Sequence, residues 1–469
     1  GVDDPVVAPK KKAWEAALGG VLAARPHLKD RLKGWPQRLL IDPRTLPSDQ
    51  REFLYRLALD TWRGIDALTD REHGLPIDRV HFSEGSLAPE DADIGDYASV
   101  TDIGFHLLAI VAAHELKFIN REEALGRLRL TLASLERMET YRGSYYNYYD
   151  TTTLERTSHF ISFVDSSWLT AGLMTVRMAF PEIGERCTRL IERGDYRFFY
   201  DERRQLMSHG FYANLGLRAA YHYGALYSEA RLGSLIAIGK GEAPQAHWFA
   251  MARTFLNEYT WQSNQPLNRW EKSERGFHWI GGYYQWRDYR YVPSWGGSLF
   301  EALMPALLLD EQRYAPASLG RNGEVHTEIQ RRYALEDLGY PVWGMSPSSV
   351  PGSGLYAEYG VHLLGALGYR EGVVTPHAAA LALLTEPEAA SANLRQLAQR
   401  YPIYGDFGFY DALDPKSGQV AYQYLCLDQA MILTALANHL EDHAVQKHFA
   451  ADPIMQRVLP LIGFENFFD

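Results

Sequence analysis

The sequence predicts an all-α fold, an (α/α)6 toroid in which a double ring of helices carries long aromatic-rich loops that form a cleft. Apolar residues recur at helical spacing in about a dozen segments, and no run of alternating residues with hairpin turns predicts a larger sheet. Neighbouring segments form pairs, and such pairs can close into an inner and an outer ring of helices. The sequence has no fixed-period repeat, which weakens the competing architecture, a helical solenoid.

The first segments show the helical pattern clearly. Residues 51–64 place Phe53 and Leu57 on one stripe, and residues 121–138 begin with Glu122, where the helix dipole favours an acid. Several later segments begin with proline or a capping residue. The other predicted helices are residues 102–116, 166–180, 181–193, 228–239, 244–259, 298–309, 325–338, 354–367, 376–384, 387–400, 428–440 and 442–450.

Long loops rich in Gly, Pro, Tyr and Trp join the helices, above all residues 261–297 and 340–353. Loops of that length inside a compact domain are usually functional. No Pro/Gly/Ser-rich linker divides the chain. We therefore predict one catalytic domain over residues 91–469, with an N-terminal helical segment, residues 1–90, packed against it.

Composition argues against several classes of function. The chain has 469 residues, 46% of them hydrophobic, and a net charge of −11, which provides a large core but no basic face for nucleic acid or an anionic membrane. No segment approaches the roughly 18 apolar residues that a membrane span needs. Two cysteines, Cys187 and Cys426, are too few for a disulfide framework or a zinc cage, and we expect buried free thiols.

Aromatic residues make up 13% of the chain. This content fits a large aromatic core, which composition alone favours, or a cleft whose rings cover the apolar faces of sugars. The sequence has no Walker loop, no dinucleotide-binding glycine motif after a strand and no His-Glu-x-x-His helix. Phosphoryl transfer, hydride transfer and zinc hydrolysis therefore lose support, and carboxylate chemistry remains.

Four acids stand out because each lies at or near the start of an apolar helix and close to aromatic residues: Asp165, Glu229, Glu301 and Asp428. A carboxyl group buried among rings has a raised pKa, as a general acid requires, and two carboxyl groups can cleave a glycosidic bond. Simpler roles fit equally well. Asp165 and Asp428 could be N-caps, and Glu229 and Glu301 could be first-turn or surface residues.

A set of short motifs occurs in the order typical of one family. In this order they resemble the glucoamylase-like bacterial (α/α)6 enzymes, which include the family 144 endo-β-1,2-glucanases and the family 189 transglycosylation domain of cyclic β-1,2-glucan synthases. The resemblance covers roughly residues 95–455. The motifs are YNYYDT at 146–151, FVDS at 163–166, SEAR at 228–231, IAIGKG at 236–241, HWF at 247–249, SWGGSLFE at 294–301, WG at 343–344, VTPH at 374–377 and GFYDA at 408–412.

The resemblance implies an (α/α)6 toroid that acts on β-1,2-glucan with Glu229 as the general acid. The second carboxylate stays open. Asp428 opens a helix as in the family 144 pattern, whereas Glu301 lies in the Phe-Glu-x-Leu-Met-Pro helix that synthase-type domains share. The chain departs from the synthase pattern at residues 345–347, where an acidic residue is expected, and this counts against synthase-like transfer.

The remaining site candidates would hold the substrate. We expect Asp165 and Arg231 to orient the acid or to bind sugar hydroxyls. No metal and no cofactor is expected. The other candidates, mostly rings that could stack on sugar faces, are Tyr148, Trp279, Tyr283, Trp286, Trp295 and Asp411.

The sequence therefore predicts an endo-acting glycoside hydrolase whose partner is a β-glucan oligo- or polysaccharide, with neither nucleic acid binding nor membrane insertion. A transglycosylase or exo-acting hydrolase of the same fold is one alternative, and a non-catalytic glucan-binding protein is another. The lack of an attached glycosyltransferase or phosphorylase region favours a free-standing hydrolase. We expect a periplasmic or secreted protein whose signal peptide has been removed, with a cytoplasmic location as the alternative. Oligomeric state is left open.

Overall fold

The computed structural model describes residues 34–469, so the first 33 residues of the predicted N-terminal segment lie outside the described part. Helices dominate these residues, with many short strands between them. In chain order the α-helices are α1 Gln50–Leu68, α2 Val100–Glu115, α3 Arg121–Arg137, α4 Phe163–Ala179, α5 Gly184–Arg193, α6 Arg231–Gly239, α7 Ala246–Ala250, α8 Leu299–Leu303, α9 Glu311–Tyr314, α10 Arg321–Arg332, α11 Pro376–Leu381, α12 Pro387–Arg400, α13 Cys426–Leu440, α14 Ala444–Ala451 and α15 Pro453–Ile462.

Two kinds of helix can be told apart by burial. One set is buried along most of its length, and its members are α2, α4, α6, α8, α11 and α13. The other set buries one stripe and exposes charged residues, and includes α1, α3, α5, α10 and α12. Because a helix that is apolar on all sides must be covered on all sides, the first set forms the core and the second packs outside it.

The core helices pack against one another in sequence. α2 packs against α4 and α13, α4 against α6, α8 against α11, and α11 against α13. α6 meets α8 through Arg231, which donates hydrogen bonds to the backbone oxygens of Glu301 and Ala302 at 2.8 and 2.7 Å. The contact between α2 and α4 requires glycine, since a Cβ atom on Gly104 would lie 2.5 Å from the backbone oxygen of Trp168.

The prediction of an irregular loop over residues 261–297 is wrong for its central part, which forms a three-stranded antiparallel sheet. The first two strands are joined by Arg275 and Gly276, whose φ angles of 53° and 82° suit a two-residue hairpin turn. The strand pattern is weak in the sequence because the first strand, Asn268–Glu274, is largely polar on both faces and Gly281 interrupts the second, Phe277–Trp286. The strands are β12 Asn268–Glu274, β13 Phe277–Trp286 and β14 Tyr289–Tyr291.

The other strands are short and antiparallel. β1 lies between β2 and β21, with Val80 opposite both Ile94 and Tyr424, and so joins the chain before α2 to the segment that leads into α13. These strands are β1 Arg79–Phe82, β2 Ala92–Gly95, β3 Tyr97–Ser99, β4 Thr140–Tyr141, β5 Ser144–Tyr145, β6 Tyr148–Asp150, β7 Phe160–Ser162, β8 Tyr200–Asp201, β9 Leu206–Met207, β10 Gly210–Tyr212, β11 Leu217–Arg218, β15 Ser348–Ser349, β16 Tyr356–Ala357, β17 Tyr404–Gly405, β18 Gly408–Phe409, β19 Ala412–Leu413, β20 Val420–Ala421 and β21 Gln423–Leu425.

Two further predictions need correction. The helix predicted over residues 354–367 is absent, and the segment holds β16 and the single 3₁₀ turn His362–Leu364, because three glycines interrupt it. Helix α15 was not predicted. Cys187 is buried and both cysteines are free, whereas Cys426 is half-buried. None of the helices in residues 34–469 combines the length and apolarity needed to cross a membrane.

Candidate active site

A cavity of about 420 Å³ lies where the first turns of α2, α4, α8 and α13 meet. Serine caps hold three of these turns, Ser99 before α2, Ser162 before α4 and Ser298 before α8. Free amides and the helix dipole make such turns suitable for acids. The cavity wall accordingly carries acids and phenols, namely Asp78, Asp102, Tyr148, Asp165, Tyr356 and Asp428. Three predicted site residues, Tyr148, Asp165 and Asp428, are therefore brought together here.

Glu229 lies just before α6 and is half-buried. Within residues 34–469 no other residue donates a hydrogen bond to its carboxyl group. The pKa of Glu229 is raised to about 7, chiefly by burial and then by the negative charges of Glu301 and Glu358, while its own backbone N–H and Arg231 act in the opposite direction. A carboxylic acid that is about half protonated near neutral pH has the property that a general acid requires.

Glu229 acts electrostatically on Tyr356, a residue that lines the cavity. Burial raises the pKa of this cavity-lining phenol, and the charges of Asp428, Asp411, Glu358 and Glu229 act on it in the same direction. Glu229 itself does not line the cavity, but it lies within electrostatic range of the same phenol as Asp428 and Asp411.

Glu301 has surroundings of the opposite kind. Its carboxylate accepts hydrogen bonds from the backbone N–H groups of Trp295 at 2.9 Å, Gly296 at 3.0 Å and Ser298 at 3.2 Å, and from the Ser298 hydroxyl at 2.6 Å. Burial raises the pKa of Glu301, and these donors counteract the effect. Because its acceptor positions are occupied, the geometry does not support the prediction that Glu301 activates water. The sequence contains a signal for a structural role of Glu301, since Ser298-x-x-Glu301 is a capping box.

Arg231 does not face the cavity, so the geometry favours the first of its two predicted roles, orienting the acid, over binding sugar. Its side chain is 0% exposed and forms two hydrogen bonds with Glu311, at 2.9 and 2.7 Å. Its other donors bind the backbone oxygens of Ser228, Glu301 and Ala302. Arg231 therefore fixes the start of α6, and with it Glu229, against α8.

Asp428 belongs to a second acidic group, with Asp411 and His377. Single ligand atoms of the three lie within 4.8 Å of one another. Burial raises the pKa of Asp428 well above its usual range, and the negative charge of the neighbouring Asp411 adds to the effect. Burial lowers the pKa of His377 to about 4, so the imidazole is neutral at pH 7.

Because the pKa of Asp428 is raised, its carboxyl group holds a proton more firmly than a free one and is a stronger base once it is ionised. Two carboxylates and an imidazole at this spacing could also hold a metal ion, and the expectation that none is needed stays a prediction. Asp411 itself is 1% exposed and accepts a 2.7 Å hydrogen bond from the backbone N–H of Ser349. Direct substrate binding by Asp411 is not supported.

The opposite wall holds a third group of acids. Asp165 is half-buried and accepts a hydrogen bond from the Thr101 hydroxyl, and burial raises its pKa. Asp78 and Asp102 are hydrogen-bonded to each other, and burial raises the pKa of both. Sequence reasoning missed this pair. The spacing Ser99-x-x-Asp102, a capping box at the start of an apolar helix, is the signal that could have found Asp102.

Three of the rings predicted to stack on sugars are buried or covered by other rings. Trp279 is 6% exposed and its ring packs on Phe249 at 5.0 Å, so no sugar can reach its face. Tyr283 is equally buried, and Trp286 stacks on Tyr289 at 6.2 Å. All three lie on β13, and none lines the cavity. For these three rings the stacking prediction is not supported.

Trp295 differs from the other predicted rings, because it is 37% exposed and its backbone N–H binds Glu301. Sequence reasoning also missed Glu358, an exposed acid whose charge reaches Glu229. It lies in the segment wrongly predicted as helical, where no helical argument could place it near the site.

Comparison with known proteins agrees with this architecture. Residues 221–453 match the sequence model of the putative glucoamylase family, and residues 56–211 match a family described as a protein of unknown function. Residues 221–453 are thus a glucoamylase-like domain. This result confirms the family resemblance that the motifs predicted.

Two curated relatives are named for β-1,2-glucans. The chain is 24% identical to the cyclic β-(1,2)-glucan synthase NdvB of Rhizobium meliloti, across 86% of this chain and 18% of that protein. It is 23% identical to an exo β-1,2-glucooligosaccharide sophorohydrolase of Parabacteroides distasonis, across 72% of this chain and 49% of that protein. The chain therefore spans less than half of the length of either relative.

Solved structures share the fold. An endo-β-1,2-glucanase from Chitinophaga pinensis, in complex with sophorotriose and glucose, superposes with a TM-score of 0.69 at 18% identity, covering 88% of this chain and 98% of that one. A putative glucoamylase from Bacteroides uniformis gives a TM-score of 0.70 at 20% identity, covering 90% and 100%. The helical architecture is therefore that of glucoamylase-like and β-1,2-glucanase structures.

Proposed function

We propose that this chain is a glycoside hydrolase that cleaves β-1,2-glucan, acts within the chain of sugars, and uses Glu229 as its general acid. The observation that carries the proposal is the environment of Glu229, a half-buried carboxyl group with a pKa of about 7, no hydrogen-bond donor from another described residue, and a phenol in common with the Asp411–Asp428 pair. Relatives and solved structures named for β-1,2-glucans support the choice of substrate.

The same proposal includes closure of the fold into an (α/α)6 toroid. The packing of α2 on α4, α4 on α6, α6 on α8, α8 on α11, α11 on α13 and α13 on α2 supports an inner ring of six helices. Helices α1, α3, α5, α10 and α12 would contribute to the outer ring. A catalytic domain that begins at residue 91, and a periplasmic or secreted location, stay predictions.

In the proposed reaction Glu229 gives its proton to the glycosidic oxygen as the bond from that oxygen to the anomeric carbon breaks. A water oxygen forms the new bond to the anomeric carbon. Asp428 takes the proton of that water, either directly or through a substrate hydroxyl, because its raised pKa makes the ionised carboxylate a stronger base. Asp165 and Tyr148 on the cavity wall would hydrogen-bond sugar hydroxyls.

Two other activities in the same fold have a specific observation in their favour. The similarity to the glucan synthase extends over 86% of this chain and favours transglycosylation. The similarity to the sophorohydrolase favours release of disaccharide from a chain end. A glucan-binding protein without turnover is the alternative of another class.

One incubation separates these possibilities. Linear β-1,2-glucan and β-1,3-, β-1,4- and β-1,6-glucans are incubated with the protein, and products are resolved by chromatography. We expect a series of oligomers from the β-1,2-glucan alone. Disaccharide as the sole product would indicate exo-action, rings or longer chains would indicate transfer, and binding without any product would overturn the proposal of an enzyme.

A further inference from the structure

We propose that Tyr259, Trp261 and Trp295 form an aromatic platform that binds sugar units of a neutral oligoglucan beyond the cavity. This inference rests on the proposed function, because the occupant is the same glucan chain. Only Trp295 was expected from the sequence to contact sugar. Trp261 opens the loop over residues 261–297 that the sequence predicts to be functional. Tyr259 was placed at the end of the helix predicted over residues 244–259, but the structure keeps only α7 of that helix.

The three rings are continuous with one another and open to solvent. Tyr259 and Trp261 stack with 5.8 Å between ring centroids and 24° between planes, and Trp261 lies 5.3 Å from Trp295. Their exposed fractions are 42%, 40% and 37%. Rings that pack into a core rarely leave such area uncovered, whereas sugar-binding rings must, since the apolar face of a pyranose covers them.

The platform is held in place before any ligand binds. The buried side-chain amide of Gln262 donates hydrogen bonds to the backbone oxygens of Leu256 at 2.7 Å and Tyr259 at 3.1 Å. Ser263 ties the same loop to the neighbouring loop, because its hydroxyl donates to the backbone oxygens of His362 and Gly365 at 2.9 and 2.7 Å. A preorganised surface loses little freedom on binding, which favours a ligand over a chance cluster of rings.

The platform is also joined to the candidate active site. The backbone N–H of Trp295 donates to Glu301, whose charge raises the pKa of Glu229. A glucan chain cleaved beside Glu229 can therefore continue over Trp295 onto Trp261 and Tyr259. Among residues 34–469 no lysine or arginine takes part in the ring contacts of these three residues, so the chemistry fits an uncharged sugar better than a phosphate or an acidic peptide.

The test compares long and short substrates. For Trp261→Ala we expect KM for linear β-1,2-glucan to rise about 5- to 10-fold, with kcat nearly unchanged, because one stacked ring contributes roughly a tenfold change in affinity at most. The KM for the shortest oligosaccharide that is cleaved should not change, since it does not reach the platform. Trp261→Phe should restore most of the affinity.

Trp270→Ala is the matched control, because this half-buried tryptophan lies on β12 and contacts Tyr283 rather than the platform. Equal KM values of Trp261→Ala and the unaltered protein on long chains, with normal turnover, would overturn the platform and leave the proposed function intact. A change in sedimentation coefficient without a change in KM would also overturn it and would make the rings a contact between copies of this chain. Absence of any turnover by the unaltered protein would instead contradict the proposed function.

Discussion

Glu229 and Glu301 begin in similar sequence settings and end in opposite environments. Each lies beside the start of a buried helix, α6 or α8, and the two helices are bound to each other through Arg231. Glu301 accepts hydrogen bonds from three backbone amides and a hydroxyl, whereas Glu229 receives none from another described residue. The number of donors separates a carboxylate that holds a loop from one that can transfer a proton.

The difference arises from local sequence as much as from tertiary structure. Ser298 caps α8 and pairs with Glu301 three residues later, while the position three residues before Glu229 is Leu226, which has no capping side chain. Glu229 is therefore left to the effect of burial and of neighbouring negative charge. An acid without donors in a buried place is costly for folding, and such costs are concentrated at functional sites.

The largest effect is expected for Glu229→Gln. Loss of the general acid should lower kcat for linear β-1,2-glucan about 10³-fold, since positioned acids contribute about 10²- to 10⁴-fold. The free energy of unfolding should change by less than about 0.5 kcal/mol, because no hydrogen bond to another residue is lost. Steady-state kinetics and urea unfolding measure the two quantities, and a variant that keeps a tenth of the normal turnover would contradict the role.

Asp428→Asn should have the next largest effect on turnover, about 10²-fold, because it removes the group proposed to accept the proton of water. Asp411→Asn is the matched variant. Asp411→Asn removes the charged neighbour but leaves Asp428 in contact with the cavity. The decrease in turnover should therefore be smaller than for Asp428→Asn. Kinetics of both variants on one glucan preparation decide the matter, and the reverse order would assign the base to Asp411.

Glu301→Gln should affect stability more than chemistry. The new amide NH₂ would face the backbone N–H groups that now bind the carboxylate, and the lost charge-assisted hydrogen bonds should lower the free energy of unfolding by about 2 kcal/mol. The midpoint of urea unfolding reports this change, with Glu229→Gln as the control. Equal stability of the two variants would remove the contrast between the two glutamates.

The smallest effect is a displacement of the pH profile. Glu229 must be protonated to act, so kcat/KM should fall as the pH rises through about 7. In Glu301→Gln one negative charge is lost, the pKa of Glu229 should decrease, and the alkaline limb should move to lower pH. Profiles of kcat/KM for the two proteins over pH 5 to about 9 test the sign. If the alkaline limb of the kcat/KM profile stays in place or moves to higher pH, Glu229 and Glu301 do not interact as described.

The sequence predicted much of the fold because its signals are local. Helix α3 matches residues 121–138 within one residue, since Asn120 and Glu123 form a capping box before a regular apolar stripe. The sheet of β12, β13 and β14 escaped prediction because its stability depends on packing against distant residues. Trp279 illustrates this, as Phe249 and Phe464 cover its ring.

The site was predicted in part for the same reason. Asp165 and Asp428 reach the cavity because helix starts are recognisable in the sequence and core helices bring those starts together. Loops that are distant in the sequence decide whether such an acid is hydrogen-bonded to backbone amides, lies beside another carboxyl group or has no partner. Glu358 and Asp78 belong to this second class, and no spacing in the sequence indicates them, whereas the capping-box spacing Ser99-x-x-Asp102 could have identified Asp102.

The most direct test of Glu229 as a proton donor changes the leaving group. Activated aryl glycosides of sophorose, such as the 2,4-dinitrophenyl derivative, have a leaving group that departs without protonation, whereas glucan does not. Glu229→Gln should lose about 10³-fold in kcat on glucan and little on the aryl glycoside. Equal losses on both substrates would show that Glu229 does not protonate the leaving oxygen, and the account of the site would be wrong.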